Sequence, residues 1–354
     1  MIGIVGATGF TGKLVASELH KRGAEFFIAG RNESALRALS EETGNVEWRL
    51  LDVQDSKTYD AINGCEVIIN CAGPFLDYGE AIVKEAIKRS CHYLDLTGEQ
   101  AFIKLVYDRY DADAKSANVC LIPACAFEYA LGDAAGAILY KQIPDCTSIE
   151  FTYSMEGKNN TSAGTRKSIV RAIAANGYQL QDGKLIESAP ASIHKRVTTS
   201  RKTAVSFPGG EVLMLTKHTA IRNVTTFMAV EIAPAAIRLV HLFGQSLVKN
   251  FGDFLVKNAG TKSPSNESRE QTQFDISVTA SGGSENRSMS IRGKDPYGLT
   301  AAIVSAAAIF IQQQIKLAKT IPSGALSPSM LAGPELIQSV SSEHAVTWTQ
   351  GSSE

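Results

Sequence analysis

The opening residues restrict the fold more than any other stretch. An apolar run, Met1–Val5, leads into Gly6-Ala7-Thr8-Gly9-Phe10-Thr11-Gly12, and helix-patterned residues Lys13–Arg22 follow. Glycine allows a tight turn at Gly6, close approach of the backbone to a pyrophosphate at Gly9, and close helix–strand packing at Gly12. The N–H groups of the first helical turn carry no intrahelical partner and present partial positive charge to phosphates. Strand before and helix after supply the context this weak spacing needs, so residues 6–12 predict a dinucleotide-binding βαβ unit.

The next hundred residues keep the same rhythm. Strand-like runs at Glu25–Ala29, Val46–Leu51, Val67–Asn70, Tyr93–Leu96 and Val119–Pro123 alternate with helical patterns at Ser34–Glu42, Gly79–Arg89 and Gln100–Ser116. Near-continuous apolar strands separated by helices predict a doubly wound parallel sheet, a Rossmann-type domain over residues 1–125. Beyond residue 145, longer strand candidates appear at Ser148–Met155, Val205–Phe207, Glu211–Thr216, Thr225–Ile232, Gln273–Ser281 and Asn286–Arg292, several of them alternating polar and apolar residues. With helical patterns at 165–176, 234–256 and 300–318, they predict an α+β domain with a largely antiparallel sheet over residues 126–335. Residues 300–340 are expected to pack back on the first domain, 258–270 to form a loop, and 336–354 to form a polar tail.

Composition supports two domains and narrows the function. The chain has 354 residues, 44% hydrophobic, with 35 Lys and Arg against 36 Asp and Glu. That length suits two cores, and the neutral balance gives no overall pull toward nucleic acid or anionic membrane. The halves differ: residues 1–150 carry 22 acidic and 14 basic side chains, the remainder 14 and 21. Six cysteines at 65, 71, 91, 120, 125 and 146 form no Cys-x-x-Cys pair, so reduced thiols and no metal site are expected. No signal segment precedes the glycine motif, and the apolar stretch Leu299–Ile311 reads as too short to span a bilayer. A cytoplasmic protein is expected.

Ligands of open α/β sheets sit at the carboxyl ends of the strands. The second strand ends in Ala29-Gly30-Arg31-Asn32, with Arg31 where an NAD site places an acid, so NADP(H) is favoured over NAD(H). Asp52-Val53 closes the third strand, where a carboxylate can hold the adenine amine. Cys71-Ala72-Gly73-Pro74-Phe75 follows the fourth strand and Asp95-Leu96-Thr97-Gly98-Glu99 the fifth. Both loops, with Thr97 and Gly98, are expected to border the reactive end of the cofactor.

These motifs resemble the saccharopine dehydrogenase-like oxidoreductases, a group that includes saccharopine reductases and trans-acting enoyl reductases of lipid biosynthesis. The resemblance rests on residues 6–12, Ala29-Gly30-Arg31, Gly73-Pro74-Phe75 with Tyr78-Gly79-Glu80, and Tyr93 through Glu99. It extends to Asp295-Pro296-Tyr297-Gly298-Leu299-Thr300-Ala301 and Pro322-Ser323-Gly324. It implies a nicotinamide cofactor and a second domain that supplies substrate and homodimer contacts. Pro123-Ala124-Cys125-Ala126-Phe127-Glu128-Tyr129 departs from the Gly-Phe-Asp-Ser-Ile-Pro-like segment of many members, so the resemblance does not carry substrate identity.

Hydride transfer to or from a C=N or C=C bond of a small metabolite or acyl substrate needs a group that meets the developing charge. Tyr78, Asp95 and Glu99 are the favoured candidates, Glu128 and Tyr129 lie within reach in sequence, and Lys195–Lys202 reads better as a solvated basic face. No tyrosine has lysine four residues later, against a Tyr-x-x-x-Lys relay. Two alternatives stand beside this reading: a semialdehyde-type acyl reductase with Cys125 as nucleophile, and a non-catalytic NADP(H)-binding sensor or scaffold. The cofactor choice has a direct test. Arg31→Asp is expected to weaken NADPH binding, followed by nicotinamide fluorescence, much more than NADH binding. Equal losses would mean that Arg31 does not read the 2′-phosphate.

Overall fold

A computed structural model describes residues 1–157, 176–189, 191–196, 202–231 and 264–352. The helix expected at 234–256, nearly all of that at 165–176, and the first part of the 258–270 loop lie outside the described residues. The chain divides into two units. One comprises Met1–Thr97, Ala101–Ala130 and Tyr297–Ser341; the other comprises Gly98–Gln100, Leu131–Pro296 and Ser342–Glu354.

The first unit is built on an all-parallel sheet of β1 (Ile2–Val5), β2 (Phe26–Gly30), β3 (Trp48–Leu50), β4 (Val67–Asn70), β5 (His92–Asp95), β6 (Cys120–Ile122) and the two-residue strand Gly324–Ala325. The spatial order is Gly324–Ala325, β6, β5, β4, β1, β2, β3. Every residue of β1, β2, β4, β5 and β6 is buried, so both faces are covered, which is why these strands read as unbroken apolar runs. The connecting helices are α1 (Phe10–Lys21), α2 (Glu33–Glu42), α3 (Phe75–Lys88) and α4 (Gln100–Ser116). α1 buries Gly12, Val15, Ala16 and Leu19, one stripe at helical spacing. The strand order reverses between β1 and β4, which makes their carboxyl ends the topological switch point.

The second unit carries a mixed, mostly antiparallel sheet. Its strands are β7 (Ser148–Glu156), β8 (Gly177–Gln181), β9 (Lys184–Ser188), β10 (His194–Arg196), β11 (Thr203–Ser206), β12 (Asn223–Val230), β13 (Gln273–Gly282) and β14 (Glu285–Lys294). Counting Gly324–Ala325 as β15, the last strand is β16 (Thr347–Ser352), and the path runs β10-β11-β12-β7-β13-β14-β16. β7 and β12 pair in parallel, while the β8–β9 hairpin attaches to β12. β7 and β13 alternate buried and exposed residues, so Phe151, Tyr153, Ile276 and Val278 form one covered face. α5 (Phe127–Gln142) brings Gly136 against that face, where an added Cβ would lie 3.2 Å from Phe151.

Several expectations change. Glu211–Thr216, expected as a strand, forms helix α6 (Glu211–Met214) and a 3-10 turn, Leu215–Lys217. Glu211 through Leu215 are buried, and the four-residue apolar run Val212–Leu215 is too short to carry a period that separates strand from helix. Within the 258–270 loop, Ser265 caps a helix, α7 (Asn266–Gln271), by accepting from Ser268 N at 3.2 Å. The apolar stretch at 299–311 is the centre of α8 (Pro296–Lys316). The helix has 21 residues and its most apolar 18 have a mean hydropathy of 1.4, so it is long and apolar enough to cross a membrane, where the shorter run predicted a buried helix too short to span. However, 67% of its apolar window is buried in the protein, as in a core helix. After α9 (Pro328–Ala332), residues 336–352, expected as part of a polar tail, contain most of α10 (Pro334–Glu343) and β16, which pairs with β14.

Each unit holds one of the two tryptophans, Trp48 in the first and Trp348 in the second. Phe151 is fully buried in the second. In a Trp48→Phe background, Phe151→Ala should therefore shift the Trp348-reported urea transition by about 3–5 kcal/mol.

Candidate functional site

The glycine turn is shaped by lack of space as much as by flexibility. Gly6 has φ +76°, and a Cβ there would stand 2.9 Å from Ala72 N. A Cβ on Gly12 would stand 2.4 Å from Gly6 O and 2.8 Å from Ala7 Cα, so only glycine lets α1 come this close to the turn. Gly6 N and Ala7 N both donate to Ala29 O, at 2.9 and 3.1 Å, which ties the turn to the end of β2. Gly9 is the N-cap of α1; no side chain caps the helix and no acid stands in its first turn. The helix end thus keeps its donors and partial positive charge for an outside anion.

Neighbouring strand ends gather around this turn. Cys71 N donates to Val5 O at 2.8 Å, and Ala72 N to Asn70 Oδ1 at 3.0 Å, so the loop after β4 lies against Gly6. Thr8 Oγ1 lies 3.6 Å from the Cβ position of Gly30, which places Arg31 beside the turn. Arg31 is exposed and has no carboxylate partner among the described residues. Asn32 instead uses its side chain to cap α2, accepting from Ala35 N at 3.0 Å and from Ser34 Oγ at 2.9 Å. Asp52 Oδ1 accepts from Gln54 N at 3.0 Å, and Val53 O from Tyr59 Oη at 2.7 Å, so both residues order the turn after β3.

After Gly73 and a cis Pro74, Phe75 opens α3 and packs on Phe102 with ring centroids 5.9 Å apart. Tyr78 is half-buried in the first turn of α3. Asp95 has no exposed surface. Its Oδ1 accepts from Thr97 N and Ala124 N, both at 2.8 Å, while its backbone oxygen accepts from Cys125 N at 2.7 Å. Asp95 therefore clamps the loop after β5 to the loop after β6 through Oδ1 and its backbone oxygen. Thr97 is buried in the same clamp. Cys125 is 1% exposed, which shuts its sulfur away from a substrate. Gly98 and the buried Glu99 belong to the second unit.

Two residues missed as site candidates, Tyr297 and Thr300, join the first unit's constellation, together with Glu128. Tyr297 stands edge-on to Phe10 of the glycine turn, centroids 5.0 Å apart at 87°. One turn along α8, Thr300 Oγ1 accepts from Phe127 N at 3.1 Å. Beside Phe127, the half-buried Glu128 carboxyl is pushed up to about 7 by burial, opposed by a backbone hydrogen bond. The Asp-Pro-Tyr-Gly-Leu-Thr motif was the available signal for Tyr297 and Thr300, but pairing it with Phe10 needs contacts nearly three hundred residues apart. In the second unit, Lys195 pairs with Glu150 and lies over the Phe227 ring, and Lys202 is 8% exposed against Ser154 and Glu156. Arg201 lies outside the described residues.

Together, the uncapped helix end, the Cβ-free cradle and the unpaired Arg31 fit a dinucleotide phosphate group. Residues 2–134 match the family model for the saccharopine dehydrogenase NADP binding domain. A lipid droplet localized protein of Caenorhabditis elegans is 31% identical over 188 residues, 48% of this chain and 44% of that protein. A trans-acting enoyl reductase of Mycobacterium bovis is 32% identical over 146 residues, 39% of this chain and 35% of that protein. The matched stretch thus spans less than half of either relative. Among solved structures, the apo saccharopine dehydrogenase (L-Glu forming) of Saccharomyces cerevisiae has a TM-score of 0.65 at 12% identity, over 100% of this chain and 99% of that one. The homospermidine synthase of Legionella pneumophila, in complex with NAD, has a TM-score of 0.60 at 10% identity, over 99% and 91%. At these identities the likeness is one of fold.

The Glu128 carboxyl yields a pH prediction. Its folded-state pKa is raised to about 7 from 4.5, so its contribution to stability is full below about pH 4.5 and is lost as pH rises through 7. Glu128→Gln removes that loss. The melting temperature of the variant relative to the parent should climb between pH 5 and pH 8 in a thermal-shift series.

Proposed function

We propose, on the match of residues 2–134 to the saccharopine dehydrogenase NADP binding domain, that the chain is a member of the saccharopine dehydrogenase-like oxidoreductases and an NADP(H)-dependent oxidoreductase acting on a C=N or C=C bond of a small metabolite or acyl substrate. The observation that carries this reading is the glycine turn at the uncapped end of α1, pressed against Ala72 at the switch point of the parallel sheet.

In this reading the amides of Phe10, Thr11 and Gly12 and the Thr8 hydroxyl hold the pyrophosphate. Arg31 takes the 2′-phosphate by charge-assisted hydrogen bonds, and Asp52 faces the adenine amine with the carboxylate oxygen its own turn does not use. Cys71 through Phe75, with Thr97, border the nicotinamide. When bound, the nicotinamide supplies or accepts the hydride. Asp95, buried in its clamp, sets where the two bordering loops stand. Tyr78 and Glu128 are the groups of the first unit left to hold a proton for the substrate, and Glu128 is the one whose carboxyl keeps its proton close to neutral pH. The likeness to a trans-acting enoyl reductase favours the C=C acceptor over the C=N one.

Titration of the purified protein with NADPH and NADH, followed by enoyl thioester, imine and ketone panels, tests this. Binding of NADPH at least about tenfold tighter than NADH is expected, in line with a charge-assisted contact worth about 1.5–3 kcal/mol, together with oxidation of NADPH by the enoyl panel. Tight binding without turnover on any panel would favour a sensor, and absence of binding would remove the cofactor reading altogether.

A further inference from the structure

At the amino ends of β4 and β5, opposite the strand ends that form the glycine site, two thiols meet. Cys65 stands two residues before β4, and Cys91 stands immediately before β5. The two strands pair in parallel with Val67 opposite His92, and His92 N donates to Glu66 O at 2.9 Å. Cys91 N is held by Ala86 O at 2.9 Å, and Glu66 N by Met1 O at 2.9 Å, so backbone bonds fix both strand entries. Within this frame Cys65 Sγ and Cys91 Sγ stand 3.0 Å apart. A disulfide requires about 2.03–2.05 Å, so the sulfurs need to close by only about 1 Å.

We propose that Cys65 and Cys91 form a redox-active dithiol, a modification site that a peroxide converts reversibly into a disulfide bridging the entries to β4 and β5. Cys65 is the less enclosed of the two, 8% exposed where Cys91 is fully buried, and is assigned the first encounter with oxidant. The Cys65 thiolate attacks one peroxide oxygen, the O–O bond breaks, and the departing hydroxide takes up a proton as water, leaving a sulfenic acid on Cys65. The Cys91 sulfur then attacks the Cys65 sulfur, the S–O bond breaks, and the hydroxyl leaves as a second water with the Cys91 proton. Two thiols lose two electrons and two protons, and one peroxide becomes two waters.

The surroundings assign the two roles. Burial, then the adjacent Cys65, pushes the Cys91 thiol well above its usual range, which suits it to wait as the resolving partner and not to meet oxidant first. Nearby Cys120 is fully buried with its thiol pushed up to about 12 by burial. Its neighbour is His92, whose Nδ1 lies 3.2 Å from the sulfur and accepts from Cys120 N at 3.0 Å. Burial pushes His92 down to about 4, so the ring is neutral and supplies no charge to activate Cys120. Cys71, at the other end of β4, is pushed up to about 12 by burial and by the Asp95 charge. Among the six cysteines, the contact between Cys65 and Cys91 is the one that sets two sulfurs face to face.

The test treats the full-length wild-type protein with a modest molar excess of hydrogen peroxide, alkylates remaining thiols after unfolding, and maps peptides without reduction. Loss of two of the six thiols, one Cys65–Cys91 cross-linked peptide, and full recovery with dithiothreitol are expected. Retention of all six thiols overturns the proposal. So does Cys65 driven to sulfinic acid while Cys91 still alkylates, or a cross-link that joins either residue to another cysteine. In Cys91→Ala the cross-link should vanish and dimedone should trap a sulfenic acid on Cys65, whereas Cys146→Ala should cross-link as the parent does.

Discussion

The contact between Gly12 and the turn formed by Gly6 and Ala7 is the constraint on which the first unit depends. Gly6 O lies so near the helix axis that no side-chain carbon fits at position 12, and the helix end therefore stands directly over the carboxyl end of β1. Everything nearby is referred to that point. Ala29 O anchors the turn from one side, Ala72 presses on it from the other, and the Tyr297 edge holds Phe10 from a third. Because the strands are buried on both faces, polar chemistry can surface only where they end, and the turn decides which ends come together.

Asp95 shows how a buried charge serves such a scaffold. A carboxylate with no exposed surface carries a desolvation cost that only hydrogen bonds offset. Thr97 N and Ala124 N supply them, with Ala124 held at φ +58° to point its amide inward. The side chain thereby fixes two loops that would otherwise be set only by turn chemistry.

The parallel sheet was legible because burial on both faces writes itself into sequence as uninterrupted apolar runs, and β1, β2, β4 and β5 are such runs. The glycine turn was legible for a related reason, since absence of space admits one residue type. Where local sequence carries no period, the reading failed: α6 is a single turn, too short to show one, and Gly324–Ala325 is a strand only because β6 lies beside it. The β8–β9 hairpin did carry a signal, Asp182-Gly183 with both residues at positive φ, and it went unread between two polar strands. The role of Asp95 was out of reach, because an acid after a strand looks the same whether it faces a substrate or a backbone amide twenty-nine residues away.

The strand Gly324–Ala325 has a consequence for the order in which this chain can be assembled. It closes the outer edge of β6, yet about two hundred residues separate the two in sequence. At a synthesis rate of roughly 5–20 residues per second, the nascent sheet stands with that edge open for roughly 10–40 s, while the intervening residues of the second unit emerge. An open edge is a template for another strand. The first unit is therefore a product of the whole chain, and its most exposed moment comes before Gly324 leaves the ribosome.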